Sequence, residues 1–548
     1  MDRREFIKKS GWTLLGLAAG GTLASCVVAG EKKRVSKAAK QYFSELGDKK
    51  FFFGDIHNHC NITYGYGDLK DAFEAARQQL DFVAVTPHAM WPDIDKVVAD
   101  NPKLEWVFGF HKDAFERLRR GGWEQYVKMT GDYNKEGEFV TFLSYECHSM
   151  EHGDHVVLAC NPDAPLTECT SIPDLKEKLR SQKVFVTPHH LGYLTGNRGY
   201  NWNAFKEDGQ IPFVEIFSRH GLAETDQGDY PYIHTMGPSH YEGTALYGLE
   251  KGYRFGMIGS SDQHAGYPGS YGDGRMVVLA KSLDRHSLWE AMERRNVYCI
   301  TGDKIRIDFR INDAIMGEVT KGNSRRIYLH VEGENYIDYV DLIKNGRCVA
   351  RLGAPFNAVI PNENVIRTKV HVNFGWGRNE EYFKWQGKLH VTDGEITSAT
   401  PCFRGAALTS PQPGKKEFET AVNCITGKDK KNVGFEIYTT KNPNTMTPAV
   451  QGILLDVMMP YNAKIVADVN GQRVGYSLAE LLEGTKSYFM RGWSSEAIQF
   501  QRAAPESAFM VEHYMEDRAQ RDTDYYYVRV RQLNGQWAWS SPVWVERV

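Results

Sequence analysis

The chain has 548 residues, of which 42% are hydrophobic and 25% charged, with a formal net charge of −3. That length exceeds the roughly 250–300 residues at which a single core stops growing, so at least two domains are expected in a soluble globular protein. The near-neutral balance excludes a basic surface that would make nucleic acid the main partner.

The first thirty residues read as a targeting segment. Arg3-Arg4-Glu5-Phe6-Ile7-Lys8-Lys9 precedes an apolar stretch from Trp12 to Leu23, which is too short to span a bilayer comfortably. The paired arginines resemble a twin-arginine export signal, and Leu23-Ala24-Ser25-Cys26 resembles a lipobox. The expectation is export to the cell envelope with a membrane anchor at a lipidated Cys26. Residues 31–50, rich in lysine, read as a linker. The other cysteines fit no disulfide framework; Cys402 and Cys424 could pair, which spacing alone leaves open.

The apolar run Phe51 to Ile56 predicts a strand that ends in His57-Asn58-His59. Alternation along a strand puts the two imidazoles on one side, where they can share a metal ion. Asp68 reads as an N-cap to a helix with Leu69, Ala72, Phe73, Ala76 and Leu80 at helical spacing. Asp81 to Thr86 is a second strand, leading to Pro87-His88, and the three elements make a βαβ unit. Residues 90–135 read as an insertion, rich in Trp and basic residues and helical near Lys112 to Arg120. Glu138 to Tyr145 is a strand ending in Glu146-Cys147-His148, and His152-Gly153-Asp154-His155 leads into Val156 to Ala159. After a helix over 172–180, Lys183 to Thr187 ends in Pro188-His189-His190. Phe213 to Phe217 ends in Ser218-Arg219-His220, and Phe255 to Gly259 in Ser260-Ser261-Asp262-Gln263-His264. Five strand endings of one chemistry point to a shared metal centre at the C-terminal edge of an α/β barrel over residues 51–302. Fourteen of the eighteen histidines fall between His57 and His286, which places the chemistry in the N-terminal part of the chain. Glu215, inside a strand, is assigned no role.

Residues 303–548 change character. Ile327, Leu329 and Val331 alternate with Tyr328, His330 and Glu332, as half-buried antiparallel strands do. Asn345-Gly346 and Asn534-Gly535 predict hairpin turns, and residues 525–539 a terminal hairpin. An all-β, sandwich-like domain is expected. Its histidines His330, His371, His390 and His513 read as strand-face residues.

The ordered set His57-x-His59, Thr86-Pro87-His88, Tyr145-Glu146, His155, Pro188-His189 and Asp262-x-His264 resembles the PHP (polymerase and histidinol phosphatase) superfamily. Within it, Gly54 to His59, Gly259 to His264 and Ala538 to Trp544 resemble a branch of secreted or lipid-anchored proteins known only as a domain of unknown function. The resemblance implies a distorted (β/α)7 barrel with a di- or trinuclear centre of Zn, Mn or Fe. Carried over by residue, His57, His59, Glu146 and Asp262 would hold one ion with Glu146 bridging. His88, His155, His189 and His264 would complete the other positions. The chain departs from the family in having Pro87 before His88, where an Asp is usual. After the His57-x-His59 pair it offers only Asp68 as a further ligand. Both departures bear on a third ion. The implied activity is phosphoester hydrolysis by a metal-bound hydroxide, with His190, His220 and Arg219 near the leaving group. Arg198 is a further candidate for holding the anion. Two alternatives stay open: action on anionic polysaccharide or its fragments, with Trp91, Trp106 and Trp123 as sugar-binding aromatics, and a non-enzymatic metal-stabilised binding protein. The substrate is a small molecule or an oligosaccharide.

Overall fold

The computed structural model describes residues 49–548 apart from 101, 231–236, 355–363, 377–380, 409, 411–418, 443–448 and 494. The export and anchor segment, Cys26 included, lies outside the described residues. Among those described, no helix is long and apolar enough to cross a membrane.

Strand β1 (Lys50–Asp55) buries Phe52 and Phe53 on opposite faces and pairs in parallel with β2 (Phe82–Val83). Helix α1 (Leu69–Gln79) joins them. The Asp68 side chain accepts from the Lys70 amide at 2.8 Å, and Leu69, Ala72, Phe73 and Ala76 form the buried face, as their spacing predicts. After β3 (His88–Met90) the insertion folds into α2 (Ile94–Asp100), α3 (Glu105–Arg117) and α4 (Trp123–Tyr133). The break between α3 and α4 centres on Gly121, whose φ of +106° only glycine adopts readily.

Next come β4 (Val140–Thr141), β5 (Leu143–Cys147), β6 (His155–Ala159), α5 (Ile172–Lys178) and β7 (Val184–Pro188). They are followed by β8 (Phe213–Ser218), β9 (Gly221–Leu222), α6 (Ala245–Glu250) and β10 (Gly256–Gly259). Strands β11 (Arg275–Ala280) and β12 (Val297–Ile300), with α7 (Arg285–Glu293) between them, close this part of the chain. Parallel pairing joins β2 to β4, β3 to β5 and β8 to β10. The sheets are mixed, however: β6 runs antiparallel to β5 and β7, and β11 antiparallel to β1 and β12. The cause at β6 is the short link from Cys147 to His155, since a parallel crossover needs a dozen or more residues. His155 therefore begins a strand, yet still lies at the edge where β5 and β7 end.

Phe82, Val140, Leu158, Phe185, Phe213, Ile258, Met276 and Val297 come from eight of these strands and meet in one apolar core. A second cluster packs the opposite faces of β5, β6 and β7 against α1, α4 and α5. The protein is thus mixed α/β, and the strands enclose a core whose rim carries the polar residues.

The second half is mainly antiparallel, as its alternation predicts, with one parallel pairing of Val319–Lys321 with Val543–Glu546. Asn345 and Gly346 take φ of +48° and +77° in the turn joining Ile337–Lys344 to Arg347–Leu352. A six-stranded and a five-stranded sheet share one core that includes Phe374, Trp385, Phe435, Leu455 and Ile465. The terminal hairpin, Thr523–Gln532 with Trp537–Ser540, extends the β1 sheet, setting Trp539 opposite Cys299 on β12. Cys402 and Cys424 are both free thiols.

Candidate metal centre

The segment after β1 is fixed by backbone bonds to the segment after β10. The His59 amide donates to Gln263 O at 2.7 Å, and the Asp262 amide to His57 O at 2.8 Å. Beneath them the Asp55 carboxylate accepts from the amides of His57, Ser261 and Gly269 and from Ser261 Oγ. Burial pushes Asp55 up to about 6, against the pull of these donors. The two histidines and Asp262 are thereby presented as one unit. Asp262 and His190 have φ of +48° and +54°, a left-handed conformation that costs non-glycine residues about 1–3 kcal/mol and concentrates at functional sites.

His57 Nε2 and His59 Nε2 lie 3.2 Å apart. His57 Nδ1 donates to Glu215 Oε2 at 2.9 Å, and His59 Nδ1 to Thr86 O at 2.6 Å. Each ring proton is thereby committed, so in the neutral rings two lone pairs face each other. Asp262 Oδ1 stands 3.0 Å from His59 Nε2 and 3.4 Å from His57 Nε2. Glu146 Oε2 is 3.0 Å from His88 Nε2 and 3.7 Å from His59 Nε2, while Oε1 is 2.7 Å from His189 Nε2. His264 directs Nδ1 to Asp262 O at 3.0 Å. Glu146 Oε2 and Asp262 Oδ2 are buried, and neither has a hydrogen-bond partner among the described residues.

The charges agree with this geometry. Burial works against ionisation of Glu146, but His148, His189 and His57 outweigh it and hold the carboxyl well below its usual range. Asp262 is held down in the same way, chiefly by His57 and His220. Burial pulls His57 down, yet Asp262, Glu215 and Glu146 prevail and push it up to about 10, so the ion-free ring holds a second proton that a metal ion would displace. Dry carboxylates and imidazole lone pairs at these separations are a donor set for divalent transition metals. The commitment of His57 to Glu215 and of His59 to Thr86 O is the outer-shell pattern that orients metal-binding imidazoles. The residues present fit such ions.

The structure thus brings together His57, His59, His88, Glu146, His189, Asp262 and His264 of the expected set. His155 is placed differently. It pairs with Cys147 across the β5/β6 register, so its side chain lies on the face opposite Glu146; Nδ1 meets Gly153 O at 2.9 Å and the ring abuts Tyr200. His190 and His220 both address Asp262 Oδ2, with Nε2 at 3.6 and 3.3 Å. Arg219 instead turns to Asp273, 2.5 Å away. Arg198 pairs with Asp154 and reaches His148 Nδ1 at 3.2 Å. Asp68 is exposed at its cap. Trp91 and Trp123 are buried and Trp106 is 44% exposed, so one of the three tryptophans offers a ring to solvent.

Sequence reasoning missed Glu215, Asp154 and His111. Glu215 lies within a strand, and only register shows that it meets His57. His148 directly follows the Glu146 strand ending, a visible signal that was given no role. His111 sits on α3 inside the insertion, where nothing in its spacing marks it.

No family model matches the chain. Uncharacterized proteins of Chlamydia trachomatis, Chlamydia muridarum and Chlamydia pneumoniae are 28%, 27% and 26% identical over 243, 244 and 256 residues. These matches cover 40–42% of this chain, which spans about two fifths of the length of the curated relatives it matches. Among solved structures, a two-domain protein of Bacteroides vulgatus containing a predicted PHP-like metal-dependent phosphoesterase is 12% identical. That likeness covers 79% of this chain and 95% of the other, at a TM-score of 0.31.

Proposed function

We propose that the protein is a metal-dependent phosphoester hydrolase of PHP type, built on a distorted (β/α)7 barrel and held at the cell envelope by lipidated Cys26. The reading is carried by the two facing imidazole nitrogens 3.2 Å apart, beside two buried carboxylates each with one oxygen that makes no hydrogen bond among the described residues. His57, His59, Glu146 and Asp262 would hold one divalent ion, and His189 and His264 would contribute to a neighbouring position shared through Glu146, with His88 Nε2 set against Glu146 Oε2 at 3.0 Å. When bound, such ions supply Lewis acidity toward a phosphoryl oxygen and make water nucleophilic at neutral pH.

The chain's own groups do the rest. Glu215 fixes the His57 tautomer and thereby aims Nε2 at the centre. His220, whose Nδ1 lies 3.2 Å from Tyr193 Oη, turns Nε2 toward Asp262, and His190 stacks on the same tyrosine. These two imidazoles are the hydrogen-bonding groups placed beside Asp262 to meet a leaving oxygen, and burial lowers both below the ordinary imidazole value. Arg198 fixes Asp154, which in turn holds His148 Nδ1, rather than standing open to an anion, and Arg219 is occupied by Asp273. Assay of the metal-loaded protein against phosphomonoesters, phosphodiesters and sulfated or uronic acid oligosaccharides tests the reading. Turnover confined to phosphoesters supports it; turnover confined to the glycans, or none on any substrate, rejects it.

A further inference from the structure

The insertion between β3 and β4 does more than wall the site. Helix α3 carries His111, which is 4% exposed. Its Nδ1 lies 2.9 Å from Val107 O one turn earlier. A carbonyl only accepts, so Nδ1 holds the proton and Nε2 presents a lone pair. The ring stacks on Tyr64 with centroids 4.2 Å apart, which fixes its plane. Its centroid is 5.8 Å from that of His88 and 5.3 Å from that of His148. His88, His111 and His148 can each offer one ring nitrogen such that the three atoms lie within 4.8 Å of one another.

The two partner rings are each held by one nitrogen. His88 turns Nε2 to Glu146, and its buried Nδ1 has no hydrogen-bond partner among the described residues. His148 turns Nδ1 to Asp154 at 3.0 Å, and its buried Nε2 likewise has none. A buried polar atom left without a partner costs about 1–3 kcal/mol, and two beside a third imidazole call for a shared one. Three imidazoles leaving a fourth position open are a known donor set for a divalent transition metal.

We propose that His88, His111 and His148 form a further binding position for a divalent transition metal, completed by the insertion helix and adjoining the Glu146 cluster. This inference rests on the metal-centre reading above and assigns to α3 a ligand that the strand endings do not supply. Ordered water in place of the ion is the competing arrangement, and metal counting separates the two.

The test is His111→Phe, which keeps the stack on Tyr64 and removes the donor nitrogen. The full chain, wild type and variant, is loaded with Zn(II) or Co(II), freed of excess metal and subjected to elemental analysis. The expected result is the loss of about one equivalent per chain with unchanged circular dichroism, and a Co(II) absorption spectrum that loses the matching contribution. His148→Gln, tested in parallel, should lose the same equivalent and keeps the test decisive if His111→Phe does not fold. If the variants bind as much metal as a wild type that itself holds ions, this position is wrong and the Glu146 centre stands. If the wild type holds less than about one equivalent, the centre and this position fall together.

Discussion

The histidines of the two halves of the chain meet different fates. Along the strand edge, His57, His59, His88, His148, His189 and His264 are buried against Glu146, Asp262 and one another, and His88 Nδ1, His148 Nε2, Glu146 Oε2 and Asp262 Oδ2 make no hydrogen bond among the described residues. In the antiparallel half, His330 is half-buried on a strand face. His371, although buried, directs Nε2 to Glu334 O at 3.2 Å. Residue type is therefore not what makes a site. Convergence does, together with polar valence that the protein itself leaves unfilled, because such valence is costly unless a ligand fills it.

The sharpest way to break this contrast is Glu146→Gln. The change keeps shape but removes the charge that sits among His57, His59, His88, His148 and His189. The variant should stay folded by circular dichroism, because stability rests on the apolar core. It should lose at least about one metal equivalent and about 10²-fold or more in turnover. Full metal retention would show that Glu146 is no ligand.

A smaller effect is expected at Glu215→Gln. The carboxylate contacts His57 Nδ1 rather than the facing nitrogens, so its removal should weaken metal affinity by about 10–100-fold without abolishing binding. Isothermal titration measures this, and affinity equal to wild type would remove Glu215 from the site.

This residue also shows how far the sequence is legible. Strand endings and their ligand types can be read in order, because an apolar run followed by His or Asp is a local pattern. Alternation and Asn-Gly turns likewise announce the antiparallel half. Glu215 has no such signal: its partner is 158 residues away, and only the placement of β8 beside the His57 segment reveals it. His155 fails for a related reason. Its distance from Glu146 in sequence looks right, but face assignment depends on a register that no motif encodes. His111 depends on how the insertion folds back, which is a tertiary fact. The lipid anchor at Cys26 is a proposal from the twin-arginine and lipobox resemblance alone, and fractionation of a Cys26→Ala protein, expected to leave the membrane, tests it.

The antiparallel half should respond to pH through ordinary ion pairing. Glu332 is half-buried; burial opposes its ionisation, but Lys369 and Arg367 outweigh it and hold it at about 2. Because the folded pKa lies below the unfolded one, its stabilisation is complete above about pH 4.5 and is lost as pH falls toward 2. Glu332→Gln should therefore flatten the acid side of the stability curve by about 1–2 kcal/mol, read from urea midpoints between pH 5 and about 3. An unchanged acid limb would show the pairs to be solvent-screened. His330→Gln, on a half-buried strand face far from the first-half histidines in sequence, should shift stability by less than about 0.5 kcal/mol and leave metal content unchanged.

The most direct test of the central claim is the metal content of the purified wild-type chain after growth with added Zn, Mn or Fe. A multinuclear centre at the His57 to His264 edge predicts at least about two equivalents of transition metal per chain, removable by chelation with a fall in melting temperature. Less than about one equivalent after such loading would contradict it.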